Sequence, residues 1–131
     1  MRNTPGAIGY VELAYALTNR MQAAVLENAS HAYVADTSDT VRAAAATKPS
    51  VSASHFSIVN AMGSKSYPIA GYTWVMVYQH AKDSTRARMV HDVLQWTVGS
   101  QGQAIAGTLQ YVPLPSSVQS VAQNALTRMQ F

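Results

Sequence analysis

The sequence contains no cysteine, which excludes disulfide bonds and thiolate metal sites. Charged residues make up only 11% of its 131 positions, well below the roughly one quarter of an average soluble protein. The net charge is +3, yet Lys and Arg are scattered rather than clustered. We therefore expect no nucleic-acid partner. No apolar run approaches about 18 residues, so no membrane-spanning helix is expected.

Catalytic and metal-binding patterns are also missing. The histidines show no ligand spacing such as His-x-x-x-His; they are His31, His55, His80 and His91. There is no Gly-x-Ser-x-Gly elbow, and none of the six carboxylates forms an adjacent pair for acid–base chemistry. We therefore predict no enzyme, no metal and no cofactor.

One short stretch, GSKS at residues 63–66, is similar to the end of a phosphate-binding loop. The upstream glycine of the Gly-x-x-x-x-Gly-Lys pattern is missing. A Gly-Ser loop with a lysine offers backbone N–H groups and a positive charge to an anion. The ordinary interpretation of such a stretch is a flexible loop, and both interpretations stay open at this point.

Five segments carry helical patterns, and serine, threonine or aspartate is available as N-cap for the second and third of them. The helix before Gly99 places Val90, Val93 and Leu94 on one face, and the last helix carries a continuous apolar stripe. The N-cap candidates are 36–39 for the second helix and Ser84 or Thr85 for the third. The predicted helices cover residues 12–20, 41–46, 84–99, 101–107 and 116–129.

Strand patterns are fewer. Residues 7–12 are predicted to form a short buried strand, and residues 69–79, dense in β-branched and aromatic side chains, form the strongest strand prediction. Two short extended pieces, 23–27 and 31–35, flank a turn, and the serine-rich residues 47–68 are linker-like. The fold class is therefore α/β, with too few strands for a complete sheet.

Three blocks occur in order: TPGAIGYVELAYAL, YPIAGYTWVMVYQ and VLQWTVGSQGQAIAGTLQYVPLPSSV. Together they resemble the periplasmic phosphate-binding protein of bacterial ABC phosphate transporters. The resemblance implies a type 2 periplasmic-binding-protein fold, in which an oxyanion lies between two lobes, and it covers only the C-terminal part. Residues 1–68 would then be the end of the second lobe plus a return segment, and 69–131 would belong to the first lobe.

The resemblance also implies inorganic phosphate as ligand, an ABC permease as partner and a periplasmic location, although the N-terminus lacks the apolar segment of a signal peptide. The family's phosphate-gripping motifs, a Gly-rich loop and Arg-x-x-Ser-Gly-Thr, are absent from this sequence. Thr4, Gly6, Ser64 and Ser66 are candidate cleft positions. We therefore expect weak or no phosphate binding by this chain alone.

A partial sheet exposes unpaired edges and an apolar face, which is costly for a monomer. The sequence therefore predicts a homo-oligomer, with the sheet completed by dimerisation or by exchange of elements between identical chains. The alternative function is a self-assembling structural or interaction module that has lost phosphate binding.

Overall fold

The computed structural model describes residues 4–48, 50–52 and 54–131. Residues 1–3 at the start of the sequence, and residues 49 and 53 of the linker-like segment 47–68, lie outside the described residues. The structure contains helices and a small two-stranded sheet, which agrees with the predicted α/β class in its mixture of the two kinds of element. The elements in chain order are α1 Leu13–Thr18, β1 Leu26–Glu27, β2 Tyr33–Val34, α2 Ser38–Ala46, α3 Ser84–Val98, α4 Ser100–Thr108 and α5 Ser116–Leu126. No described helix is long and apolar enough to cross a membrane.

The first half of the chain contains a hairpin and a capped helix. Strands β1 and β2 pair antiparallel with Leu26 opposite Val34, which confirms the two short extended pieces. Helix α2 begins after Thr37, whose hydroxyl accepts from the Thr40 N–H, while the Thr40 hydroxyl accepts from the Thr37 N–H. Such a cap contributes about 1 kcal/mol. It lies within the predicted 36–39 window.

The second half is helical. Helix α3 is capped by Asp83, whose carboxylate accepts from the Arg86 N–H at 3.0 Å. The predicted caps, Ser84 and Thr85, are thus wrong by one or two residues, because a carboxylate also interacts favourably with the positive end of the helix dipole. The helix ends at Gly99, as predicted, and α4 follows immediately.

A buried glycine lets α4 turn back tightly against the end of α3. A Cβ on Gly102 would lie 2.5 Å from the Thr97 carbonyl oxygen and 2.6 Å from that of Trp96. Both obstacles are backbone atoms, so a rotating side chain cannot relieve the overlap. The corner between the two helices therefore requires glycine at this position.

A hydrophobic cluster joins α2 to the part of the chain that follows it. Ala44 and Ala45 pack with Ile58, Ala61 and Ala70, and all five are buried. The segment 47–68 is irregular, as its composition predicts. It nevertheless lies against α2 and contributes some of the most buried side chains of the chain.

The two principal strand predictions are wrong for the isolated chain. Residues 7–12 and 69–79 belong to no strand, and within the described part of the chain the backbone of 8–11 and 69–78 forms no hydrogen bond to another segment. Many of their side chains face solvent, such as those of Ile8, which is 98% exposed, and Met76, which is 97% exposed, although Ala70 is buried in the cluster with Ala44. A strand exists only through pairing with a neighbour. Within the described chain residues 8–11 have no such partner, and residues 69–79 have one only at their end, where the Gln130 N–H donates to the Gln79 carbonyl oxygen at 2.8 Å.

The predicted apolar face of α3 is also largely uncovered. Val90 and Val93 are exposed, and Ala87 is the buried residue of this helix. The helix packs against α4 and α5. The periodicity thus identified the helix correctly, but no other element of the described residues covers its apolar face.

Candidate functional site

The loop at residues 62–66 contains two of the four candidate cleft residues. Ser66 is buried, and its hydroxyl donates to the Met62 carbonyl oxygen at 2.9 Å. Its backbone N–H donates to the Gly63 carbonyl at 3.0 Å. Ser64 and Lys65 lie at the exposed tip of the loop. The tip therefore offers solvent one hydroxyl and one ammonium group.

The side chain of Asn28 fastens this loop to the β1–β2 hairpin. Its amide nitrogen donates to the carbonyl oxygens of Gly63 and Ser66, both at 3.0 Å. Its amide oxygen accepts from the N–H groups of Ser30 and Ala32, at 2.9 and 3.1 Å. The residue is buried and all four hydrogen-bonding positions of its amide are used. Asn28 therefore fixes the conformation of the loop from 35 residues away.

Gly63 is the second determinant of the loop. Its φ of +120° lies in the region that favours glycine, and a Cβ there would stand 2.9 Å from the Ser66 hydroxyl oxygen. Its N–H donates to the hydroxyl of Ser30 at 2.8 Å. The loop is thus held at both ends by hydrogen bonds and is not a free flexible connection.

The other two candidate residues lie in a separate turn. Thr4 and Gly6 are exposed, Gly6 has a φ of +76°, and the Ala7 N–H donates to the Thr4 carbonyl at 3.2 Å. Within residues 4–48, 50–52 and 54–131, no hydrogen bond connects this turn with the loop at 62–66. The four candidates are therefore not assembled into one hydrogen-bonded site.

A carboxylate lies near the base of the loop. Burial raises the pKa of Asp36 above its ordinary 3.8. Burial, and then the charge of Asp36, raise the pKa of Tyr67, the residue after Ser66. A neighbouring negative charge opposes the binding of an anion at this end of the loop. Among the described residues, no His, Asp or Glu group could hold a metal ion.

Sequence reasoning missed Asn28 as a determinant of this loop. The Asn-Ala-Ser stretch at 28–30 predicts a turn, and the bond from the Ser30 N–H to the Asn28 side chain is the local interaction behind that preference. The bonds to Gly63 and Ser66 depend on how distant segments pack, and no local pattern encodes them.

Comparison with known proteins shows which proteins this chain is similar to. The chain is 36% identical over 115 residues to the phosphate-binding protein PstS of Xylella fastidiosa strain 9a5c, a match that covers 86% of this chain and 31% of that protein. The chain is similar to PstS. PstS of Pasteurella multocida strain Pm70 is 33% identical over 114 residues, and PstS of Methanocaldococcus jannaschii is 29% identical over 140 residues, or 96% of this chain. No family model matches.

These matches confirm the resemblance that the three sequence blocks indicated. The chain spans about one third of the length of the curated relatives it matches. The prediction that the chain is not an enzyme is confirmed at the level of these relatives, each of which carries the name of a binding protein.

Proposed function

We propose that this chain is the C-terminal part of a PstS-like phosphate-binding protein that serves ABC-type phosphate import, and that alone it binds phosphate weakly or not at all. The observation that carries the proposal is the match to PstS over 86% of the chain. By the same resemblance, the fold to which it contributes is the type 2 periplasmic-binding-protein fold, the location is the periplasm and the further partner is an ABC permease.

Two features support weak binding. A phosphate ion is held tightly when several N–H and hydroxyl donors converge on it, commonly at a helix N-terminus or with an arginine. In the loop at 62–66 the hydroxyl of Ser66 is already used within the protein, and the exposed groups are those of Ser64 and Lys65. Exposed charges in water interact weakly, and Asp36 near Tyr67 opposes an anion further.

Isothermal titration with inorganic phosphate tests the proposal in two arms. One arm contains this chain alone, and the other contains this chain mixed with the part of Xylella fastidiosa PstS that lies outside the match. We expect little heat from the chain alone and saturable heat from the mixture, with the unmatched PstS part alone as control. Micromolar binding by this chain alone would overturn the weak-binding statement. Silence in both arms would overturn the phosphate-binding role.

The second candidate is a self-assembling module that has lost phosphate binding. The specific observation in its favour is the set of exposed apolar side chains at residues 8–11 and 75–78, among them Ile8, Tyr10 and Met76. This candidate predicts a stable homo-oligomer together with silence in both arms of the phosphate titration.

A further inference from the structure

Residues 129–131, which follow α5, form a strap across the second half of the chain. The Gln130 N–H donates to the Gln79 carbonyl oxygen at 2.8 Å, and the Gln130 carbonyl oxygen accepts from the Ala81 N–H at 3.3 Å. These two bonds form a short parallel bridge between Gln130 and His80. The strap therefore pairs with the end of the segment that carries the strongest strand prediction.

An aromatic ring fastens the strap to α3. The guanidinium carbon of Arg88 lies 5.3 Å from the centre of the Phe131 ring, and the centres of the His91 and Phe131 rings are 5.4 Å apart. Arg88 and His91 are three positions apart on α3 and so lie on the same side of the helix. A cation over an aromatic face is attracted electrostatically and adds to the contact between the rings. The strap thus ties residues 79–81 to α3.

The other end of the same segment is fixed by a separate contact. Ala70 is buried in the cluster with Ala44 and Ala45, and Tyr72 packs against that cluster. Residues 73–78 lie between these two anchored ends. Within the described part of the chain, their backbone forms no hydrogen bond to another segment. The structure therefore holds this stretch at both ends while its backbone donors and acceptors stay unpaired.

The unpaired stretch has the chemistry of a buried strand. Residues 73–78 carry no charge, and in a strand their apolar side chains would lie on both faces. Met76, Val77 and Tyr78 also line an apolar groove of about 630 Å³ beside α3. The match covers only 31% of Xylella fastidiosa PstS, so most of that protein lies outside it. A strand from this unmatched part is the occupant that we assign to the stretch.

We propose that the strap is a positioning device: it holds residues 73–78 in place for the addition of a strand from the part of a PstS-like protein that lies outside the match. A segment that is fixed at both ends loses less conformational freedom when it binds, so the strap strengthens the binding. The backbone hydrogen bonds that the stretch lacks in this chain would come from the added strand. The identity of that strand rests on the proposed function, whereas the strap is a property of this chain.

Phe131→Ala tests the strap in this chain alone. A cation–π contact and a ring contact at exposed positions each correspond to roughly 2–10-fold in an equilibrium constant, so losing both should open the strap on the order of 10-fold more often. The N–H groups of Gln130 and Ala81 should then exchange with solvent about 10-fold faster. Arg88→Gln removes only the cation and should give a smaller increase, of about 3-fold.

Two controls show whether the effect belongs to the strap. Phe131→Tyr keeps the ring and should restore slow exchange, and Tyr33→Ala, which removes an exposed ring from β2, should leave exchange in the strap unchanged. The Asn28 N–H, which bonds to the Ala32 carbonyl in the hairpin, should keep its rate in Phe131→Ala. Unchanged exchange at Gln130, or equal acceleration at Gln130 and Asn28, would overturn the strap as a local device.

Titration of the unmatched part of Xylella fastidiosa PstS into this chain tests what the strap positions. We expect Phe131→Ala to raise the dissociation constant about 5-fold and Phe131→Tyr to restore it. Met76→Lys places an ammonium group in the unpaired stretch and should weaken the binding on the order of 100-fold. Met62→Lys changes another exposed methionine, outside the stretch, and should leave the binding unchanged.

The contrary results separate this inference from the proposed function. If the unmodified chain and Phe131→Ala bind the PstS part equally well, the positioning role is overturned while the proposed function stands. Equal binding by Met76→Lys and Met62→Lys would overturn the location of the added strand. If the unmodified chain does not bind the PstS part at all, both the strand addition and the proposed function are contradicted.

Discussion

Replacing Asn28 by alanine removes the side chain that joins the β1–β2 hairpin to the loop at 62–66. The change deletes four hydrogen bonds, two donated to carbonyl oxygens and two accepted from backbone N–H groups. Each contributes about 1 kcal/mol net, and a buried partner left without water costs 1–3 kcal/mol, so we expect a loss of about 3–4 kcal/mol. Against a typical total stability of 5–15 kcal/mol this is a large effect.

Urea denaturation at a fixed protein concentration measures this loss. The exposed Asn124 of α5 provides the control, since Asn124→Ala deletes an amide of the same type and should change the free energy of unfolding by less than about 0.5 kcal/mol. Amide hydrogen exchange should in addition show faster exchange at Gly63 and Ser66 in Asn28→Ala. A loss below about 1 kcal/mol, with unchanged exchange at these two positions, would refute the role assigned to Asn28.

Three further predictions concern packing and titration. Gly102→Ala should lower the free energy of unfolding by about 1–3 kcal/mol in urea denaturation. Gly107→Ala should be neutral or stabilising, because its new Cβ meets only a ring carbon of Pro113 at 3.7 Å. Equal effects of the two substitutions would contradict the tight helix corner. Tyr72→Phe removes a buried hydroxyl that has no hydrogen-bond partner among the described residues, so it should raise the urea midpoint slightly, while Tyr33→Phe at an exposed position should not. A lower midpoint for Tyr72→Phe would contradict the burial. Burial raises the folded-state pKa of Asp36 above 3.8, so the ionised side chain lowers the free energy of unfolding at neutral pH, and this penalty disappears once the carboxyl is protonated. Asp36→Asn should therefore be more stable than the unmodified chain at pH 7 and should lose that advantage near pH 3. A difference that stays constant with pH would contradict the raised pKa.

The helices could be predicted from the sequence because their signals are local. Capping residues locate the start of α2, apolar spacing locates α5, and Gly99 marks the end of α3. The strands could not be placed in the same way. The composition of residues 69–79 is that of a central strand, but a strand forms only when another segment supplies hydrogen bonds along it. The described chain supplies one only at the end of this range, from the Gln130 N–H to the Gln79 carbonyl oxygen.

The same holds for the candidate site: its local features could be predicted from the sequence, and its long-range contacts could not. The turn preference of residues 28–30 and the glycine in GSKS are visible in the sequence, and both have local causes in the structure. The burial of Ser66 and the reach of Asn28 across 38 residues depend on tertiary packing, which no spacing rule encodes. Whether Thr4, Gly6 and Ser64 face a ligand stays a prediction.

Hydrogen exchange of residues 69–78, with and without the part of Xylella fastidiosa PstS that lies outside the match, tests most directly whether this chain belongs to a larger PstS-like fold. We expect amide protection in this segment when that part of PstS is present, and little protection in this chain alone. Residues 8–11 should follow the same dependence. Exchange that is unprotected in the mixture, or equally protected in this chain alone, would contradict the proposal.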